Sequence, residues 1–166
     1  MSEITTGNSS AVSNYSQKLE ELQNYMIDNN DQEGIYGDGK NLVNNEHFPI
    51  EHDFSDQLYM RKMKMKSGSM VISAIHHTEH FWFLMYGKIL VVTDGETVEH
   101  IAPCYSLSIK GAKRCILCLE DCLFINVHKN PSNTRDLEEV EENLYSLTAE
   151  DFIKKEKLWQ ESQQQQ

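Results

Sequence analysis

No apolar run in this 166-residue chain approaches the roughly 20 residues that a membrane span needs. The first eleven residues, Met1–Ala11, lack both a basic start and an apolar core, so no secretory leader is read there and a cytoplasmic location is expected. Positive charge is scarce. Fifteen Lys and Arg stand against 26 Asp and Glu, for a formal net charge of -11, which argues against a phosphate-backbone partner and for a freely soluble protein. Neither nucleic acid nor membrane is expected as a partner. Cysteine is also sparse. Cys104, Cys115, Cys118 and Cys122 come without a secretion signal, which points to free thiols in a reducing compartment. Cys115-x-x-Cys118 followed by Cys122 has only the isolated Cys104 in place of the second ligand pair of a structural zinc site. Small buried cysteines on strands explain the pattern more simply.

What the chain does have is a concentration of imidazole. Ile75-His76-His77-Thr78-Glu79-His80 sets three histidines and a carboxylate between two apolar, strand-like runs. Thr78 and its polar neighbours break the hydrophobic pattern, so the stretch reads as a strand through His76, a bend over His77–Glu79 and a new strand from His80. On one straight strand His76 and His80 would lie about 13 Å apart at about 3.3 Å per residue, whereas across a bend they can face each other. Imidazole suits Zn, Fe, Cu and Ni, and Glu79 can add an oxygen. The alternative is a hydrogen-bonded histidine cluster at a strand end.

With 39% hydrophobic residues the chain can build one core plus peripheral helices. Residues 1–13 read as a polar, disordered leader. Tyr15, Leu19, Leu22 and Met26 recur at helical spacing, and residues 29–45 form a long Gly- and Asn-rich loop. Between residues 46 and 128 the chain reads as short strands separated by turns, among them Gly87, Asp94-Gly95, Lys110-Gly111 and Glu120-Asp121. The clearest alternation is Tyr59-Met60-Arg61-Lys62-Met63-Lys64-Met65-Lys66, whose lysines must face water. That turns Tyr59 and Arg61 inward, and a buried guanidinium needs a carboxylate, a carbonyl or a bound anion unless it reaches out at the barrel mouth. Residues 129–162 carry two helices, the first capped by Thr134, and residues 163–166 read as a disordered glutamine tail. The fold class is therefore mainly β, a single barrel or double sheet with one N-terminal and two C-terminal helices. Apolar stripes left on those helices suggest packing across a two-fold axis in a homodimer. His47, His52 and His100 read as surface residues.

Counted back from Gly87, this segment resembles the first motif of the cupin superfamily, with His80 at the Glu position, His76 at the second His and Ala74 at the first. Gly111 matches the second motif's glycine, while Ile109 replaces its proline and Arg114 its last histidine. More narrowly, Ile75–His80, Lys113-Arg114, Glu120-Asp121 and Val127-His128 resemble small cupin-like proteins of bacteriophages. The resemblance implies a jelly-roll barrel without the full metal set of the superfamily. If the even-numbered face of the last strand points inward, His128 can join His76 and His80 around a divalent Zn or Fe ion. Arg61 and Arg114, with Tyr59 and Glu79, would then hold a small anionic ligand. Three functions follow. A binding module without turnover stands first, a metal-dependent oxygenase or isomerase second, and a virion or assembly component third.

Overall fold

The computed structural model describes residues 14–29, 36–37, 48–94 and 96–164. The polar leader, most of the glycine-rich loop, His47, Gly95 and the last two glutamines lie outside the described residues. In chain order the elements are α1 (Asn14–Asp28), β1 (Tyr36–Gly37), β2 (Ile50–Ser55), β3 (Leu58–Met65), β4 (Met70–Ile72), β5 (Ile75–His76), β6 (His80–Thr93), β7 (Glu96–Ile101), β8 (Cys104–Ser108), β9 (Cys115–Lys129), α2 (Leu137–Leu144), β10 (Tyr145–Ser146) and α3 (Ala149–Gln164). The fold is mainly β, with three helices outside the sheets, as the strand and helix periodicities predict.

β6 and β9 hold it together by pairing antiparallel along nearly their whole length. Where the sequence predicts breaks at Gly87 and at Glu120-Asp121, both strands run through, and the register shifts between Leu84 and Ile89 of β6. Gly87 has φ +86°, and a Cβ on it would stand 2.3 Å from the Asp121 carbonyl oxygen. Only glycine lets the two backbones approach so closely in that conformation. The glycine is a bulge rather than a turn, and it divides the sheet into two halves. One is ordered β8-β6-β9-β3-β2 and the other β7-β6-β9-β4-β1.

The inward faces meet in a core of Trp82, Leu84, Ile89 and Val91 from β6, Ile116, Cys118 and Phe124 from β9, and Met63 and Met65 from β3. Trp82 stacks on Phe124 at 5.2 Å between ring centroids. β3 keeps the alternation read from its sequence, with Tyr59, Arg61, Met63 and Met65 buried. Lys62 instead reaches Glu51 (2.7 Å) and Asp53 (2.8 Å) of β2 on the outer face. Cys118 and Cys122 are free and buried, their sulfurs 3.5 Å apart, and Cys118 also approaches the Met65 carbonyl. They pack in the core and, among the described residues, belong to no metal-ligating group.

The helices close the flanks. α1 lays Leu19 and Met26 against Ile72 and Cys115. The buried Lys113 ties α1 down, its Nζ donating to the Gln23 Oε1 (2.9 Å) and to the Ser73 and Leu147 carbonyls. The cap of α2 is Asp136, whose carboxylate accepts from the Glu138 and Glu139 amides, while Thr134 accepts from Asp136 itself. The Asp136 carboxylate also complements the positive helix end, which explains why it displaces the expected threonine. α2 stops at Leu144, and Tyr145-Ser146 turns extended to pair with Ile75-His76. α3 runs to Gln164, two residues into the stretch read as disordered.

Candidate metal centre

His76, His80 and His128 arrive from three strands at one end of the inner face. β5 carries His76 and is itself pinned by β10, with Tyr145 opposite His76. The bend at residues 77–79 reverses the chain so that β6 opens with His80. His128 sits near the end of β9, opposite Tyr59 of β3. Ring centroids are 4.2 Å apart for His76 and His80, 4.3 Å for His80 and His128, and 5.3 Å for His76 and His128. All three side chains are buried.

One candidate ligand nitrogen from each ring lies within 4.8 Å of the others. Zn–N bonds of about 2.0–2.1 Å hold ligand nitrogens roughly 3–4 Å apart, so rings closing by about 1 Å would meet one ion. The Nδ1 atoms of His76, His80 and His128 are buried with no hydrogen-bond partner at bonding geometry among the described residues. A buried polar atom without a partner costs about 1–3 kcal/mol. Three rings that each keep a nitrogen without a partner, and that bring one nitrogen apiece within 4.8 Å of the others, suit a shared cation.

The protonation states fit as well. Burial pushes His76 and His128 well below the ordinary histidine range, reinforced by the neighbouring histidines and by Arg61. Burial likewise pushes His80 down to about 4, with Arg114 adding to it. Neutral imidazole is the form that ligates metal.

Around the triad the structure sorts the residues expected there. Tyr59 stacks on His128 (5.9 Å, 20° between planes) and its hydroxyl hydrogen-bonds with His52 Nδ1 at 2.8 Å, so it backs the ligands rather than facing a ligand-sized space. Arg61 is buried, with its Cζ 5.9 Å from the centroid of the Tyr145 ring, a cation–π distance. It lines a cavity of about 40 Å³ with Ser73 and Asn126, closed by Met63, Val71, Ala74, Ile116 and Phe124. Arg114 donates from Nη1 to the Ser108 hydroxyl (2.6 Å), and Ser108 is the residue paired with His80 across β6 and β8. Both arginines therefore flank the histidines, Arg61 from β3 and Arg114 from the loop before β9. Glu79 is a correction. It is exposed, because the residue before the inward His80 must face outward, and it does not join the triad.

Other residues were not foreseen. Tyr145 places its ring edge-on to His76 (4.9 Å) and its hydroxyl 3.3 Å from His128 Nε2, closing the triad from the C-terminal side. Its signal is the Tyr-Ser interruption after Leu144, which the helical stripe through Leu147 hides. His52 is half-buried rather than at the surface, and His100 packs edge-on against Trp82 at 4.9 Å.

His77, next to a triad member, points the opposite way. Its ring lies between the Ser146 Oγ and the Glu156 Oε1, both at 2.8 Å, and stacks on Phe152 at 4.7 Å. Lys110 pairs with the other oxygen of Glu156. His77 thus fastens α3 to the strand that presents His76. His77→Ala removes two buried hydrogen bonds and a ring contact, an expected loss of about 2–4 kcal/mol. Limited proteolysis should then cut first within residues 149–164, and unchanged protection there would show that α3 is held by other means.

No protein-family model matches the chain, and no curated protein matches its sequence. Solved structures that resemble it are cupin-domain proteins. A cupin 2 conserved barrel domain protein from Salinispora arenicola shares 14% identity over 61% of this chain and 91% of its own, with a TM-score of 0.47. KdgF from Halomonas sp. shares 14% over 57% and 87%, at 0.48. A cupin-2 domain containing protein from Shewanella frigidimarina shares 14% over 51% and 83%, at 0.45. Likenesses this distant leave the fold to be read from the strand pairing and the site from its own residues. No helix among the described residues is long and apolar enough to cross a membrane.

Proposed function

We propose that this protein binds one divalent transition-metal ion per chain, held by His76, His80 and His128 on a cupin-like scaffold. The observation that carries this reading is the convergence of three buried imidazoles, each offering a ligand nitrogen within 4.8 Å of the other two. Three imidazoles without thiolate or carboxylate suit Zn, Fe, Co or Ni. Such a metal would supply Lewis acidity and, in the case of iron, redox chemistry.

The chain's own residues set the conditions around it. Tyr59 and Tyr145 wall the rings and exclude water from their flanks. Arg61 and Arg114 bring positive charge close enough to depress the histidines, and the same field favours a small anion beside the metal. The 40 Å³ cavity holds water or a small ion, since one water needs about 10–15 Å³. It falls far below the roughly 300 Å³ of pockets that hold organic ligands, so this cavity beside Arg61 suits water or a small ion rather than an organic molecule. Metal analysis of untagged protein, followed by calorimetric titration of the chelator-treated form with Zn, Co and Ni, tests it. One equivalent per chain is expected. A stoichiometry well below one, or one that persists in the His76→Ala/His80→Ala double variant, would sink the proposal.

A further inference from the structure

Two tyrosines flank the histidine triad, and their hydroxyls point to different partners. The Tyr59 hydroxyl is taken up by His52 Nδ1 at 2.8 Å. The Tyr145 hydroxyl lies against the triad itself, 3.3 Å from His128 Nε2. That is long for a hydrogen bond, which draws nitrogen and oxygen to about 2.7–3.2 Å. It matches the spacing of neighbouring ligand atoms around a tetrahedral zinc, roughly 3.3 Å for bonds of about 2.0–2.1 Å. The backbone breaks a helix to put the hydroxyl there. The apolar stripe of α2 continues to Leu147, yet the helix stops at Leu144 and Tyr145 turns extended, directly opposite His76. On either side of that turn the Leu144 carbonyl accepts from the His77 amide at 3.0 Å and the Tyr145 carbonyl from Lys155 Nζ at 3.3 Å. The Tyr145 ring is 1% exposed, edge-on to His76 at 4.9 Å and packed with Tyr59, Ala74, Val140 and Leu144. A side chain held this firmly by its neighbours has the fixed geometry that a metal ligand needs.

We infer that the Tyr145 phenolate oxygen is a fourth ligand, beside His128 Nε2, of the ion held by His76, His80 and His128. The inference rests on the three-histidine reading and narrows what that site can do. A zinc with three protein ligands keeps an open position for water, whereas four protein ligands close the tetrahedron. With Tyr145 in place the site holds its ion without activating a water. The anionic oxygen also offsets part of the positive charge that a divalent ion brings among three neutral, buried imidazoles. Burial pushes the Tyr145 phenol up, and the Arg61 guanidinium opposes this through its charge and a hydrogen bond. The phenol therefore keeps its proton in the metal-free chain and releases it to solvent as the oxygen takes the ion, with Arg61 left to pair with the phenolate.

Near-ultraviolet difference spectroscopy of the chelator-treated full chain, titrated with zinc, tests this, because a phenolate absorbs where a phenol does not. One phenolate per zinc is expected in the wild type and in Tyr59→Phe. None is expected in Tyr145→Phe, which keeps the buried ring and removes only the oxygen, its folding checked by circular dichroism. Calorimetry should show Tyr145→Phe still taking up one zinc, at least about 10-fold more weakly, since even a residue that only supports a metal ligand is worth about 10–100-fold in affinity. One zinc per chain without the phenolate signal overturns this inference and leaves the three-histidine reading standing. A phenolate signal that survives in Tyr145→Phe overturns it as well, and so does an unchanged zinc affinity there. A wild type that takes up no zinc overturns both.

Discussion

Gly87→Ala is expected to destabilise this protein by about 2–5 kcal/mol, the largest loss that a single added methyl group should cause in it. Two independent terms contribute. A non-glycine residue at φ +86° is strained by about 1–2 kcal/mol. The new Cβ would also stand 2.3 Å from the Asp121 carbonyl oxygen and 2.6 Å from the Cys122 Cβ, both parts of β9 that cannot rotate away. Overpacking at such a site adds about 1–3 kcal/mol. Equilibrium urea unfolding measures the sum, with Gly68→Ala as the control, because Gly68 has a similar φ of +84° but open space around it. The control should lose only the conformational term. Equal losses in the two variants would mean that β6 and β9 do not approach as closely as described.

The same glycine shows what a sequence can and cannot carry. Gly87 is visible as a conformational exception, but whether an exception ends a strand or bends one depends on what runs beside it. Only the pairing with β9 decides that. For the same reason Glu120-Asp121 looks like a turn and lies within a strand, since local polarity cannot report that β6 supplies hydrogen bonds through the bulge. Period two in β3 was legible because alternation is a local property, and it placed Tyr59 and Arg61 inward without knowledge of the partner strands. His76 and His80 could be brought together by a bend within five residues. His128 could not, because both faces of its strand are apolar. Leu123, Ile125 and Val127 alternate with the buried Cys122, Phe124 and His128, and an apolar outward row erases the contrast by which an inward face is usually recognised. Tyr145 was hidden for another reason, since it reaches His76 through a two-residue pairing 69 positions away in sequence.

Stripped of metal, the protein should become acid-labile in a window that histidine sets. In the folded chain His80 is held down at about 4, and His76 and His128 lie well below their ordinary value, whereas in the unfolded chain each titrates near 6.5. The unfolded state therefore binds more protons between these limits, so stability is fully present above pH 6.5 and is lost as the pH falls through 6.5 toward 4. Each ring contributes up to about 1.4 kcal/mol per pH unit in that range. Zinc at a hundred times its dissociation constant should add about 2.7 kcal/mol at pH 7. For a chain of this size that is roughly 5–10 °C in Tm. The gain should fade with acid because protons compete for the same nitrogens. His80→Asn separates this from general acid sensitivity, since carboxylates elsewhere titrate equally in both proteins. The variant should lose the zinc shift and flatten the dependence between pH 7 and 5 by about one ring's worth. If chelator-treated wild type and His80→Asn show parallel pH profiles, the histidines are not held neutral by burial. If zinc still raises the variant's Tm by the full amount, the ion sits elsewhere.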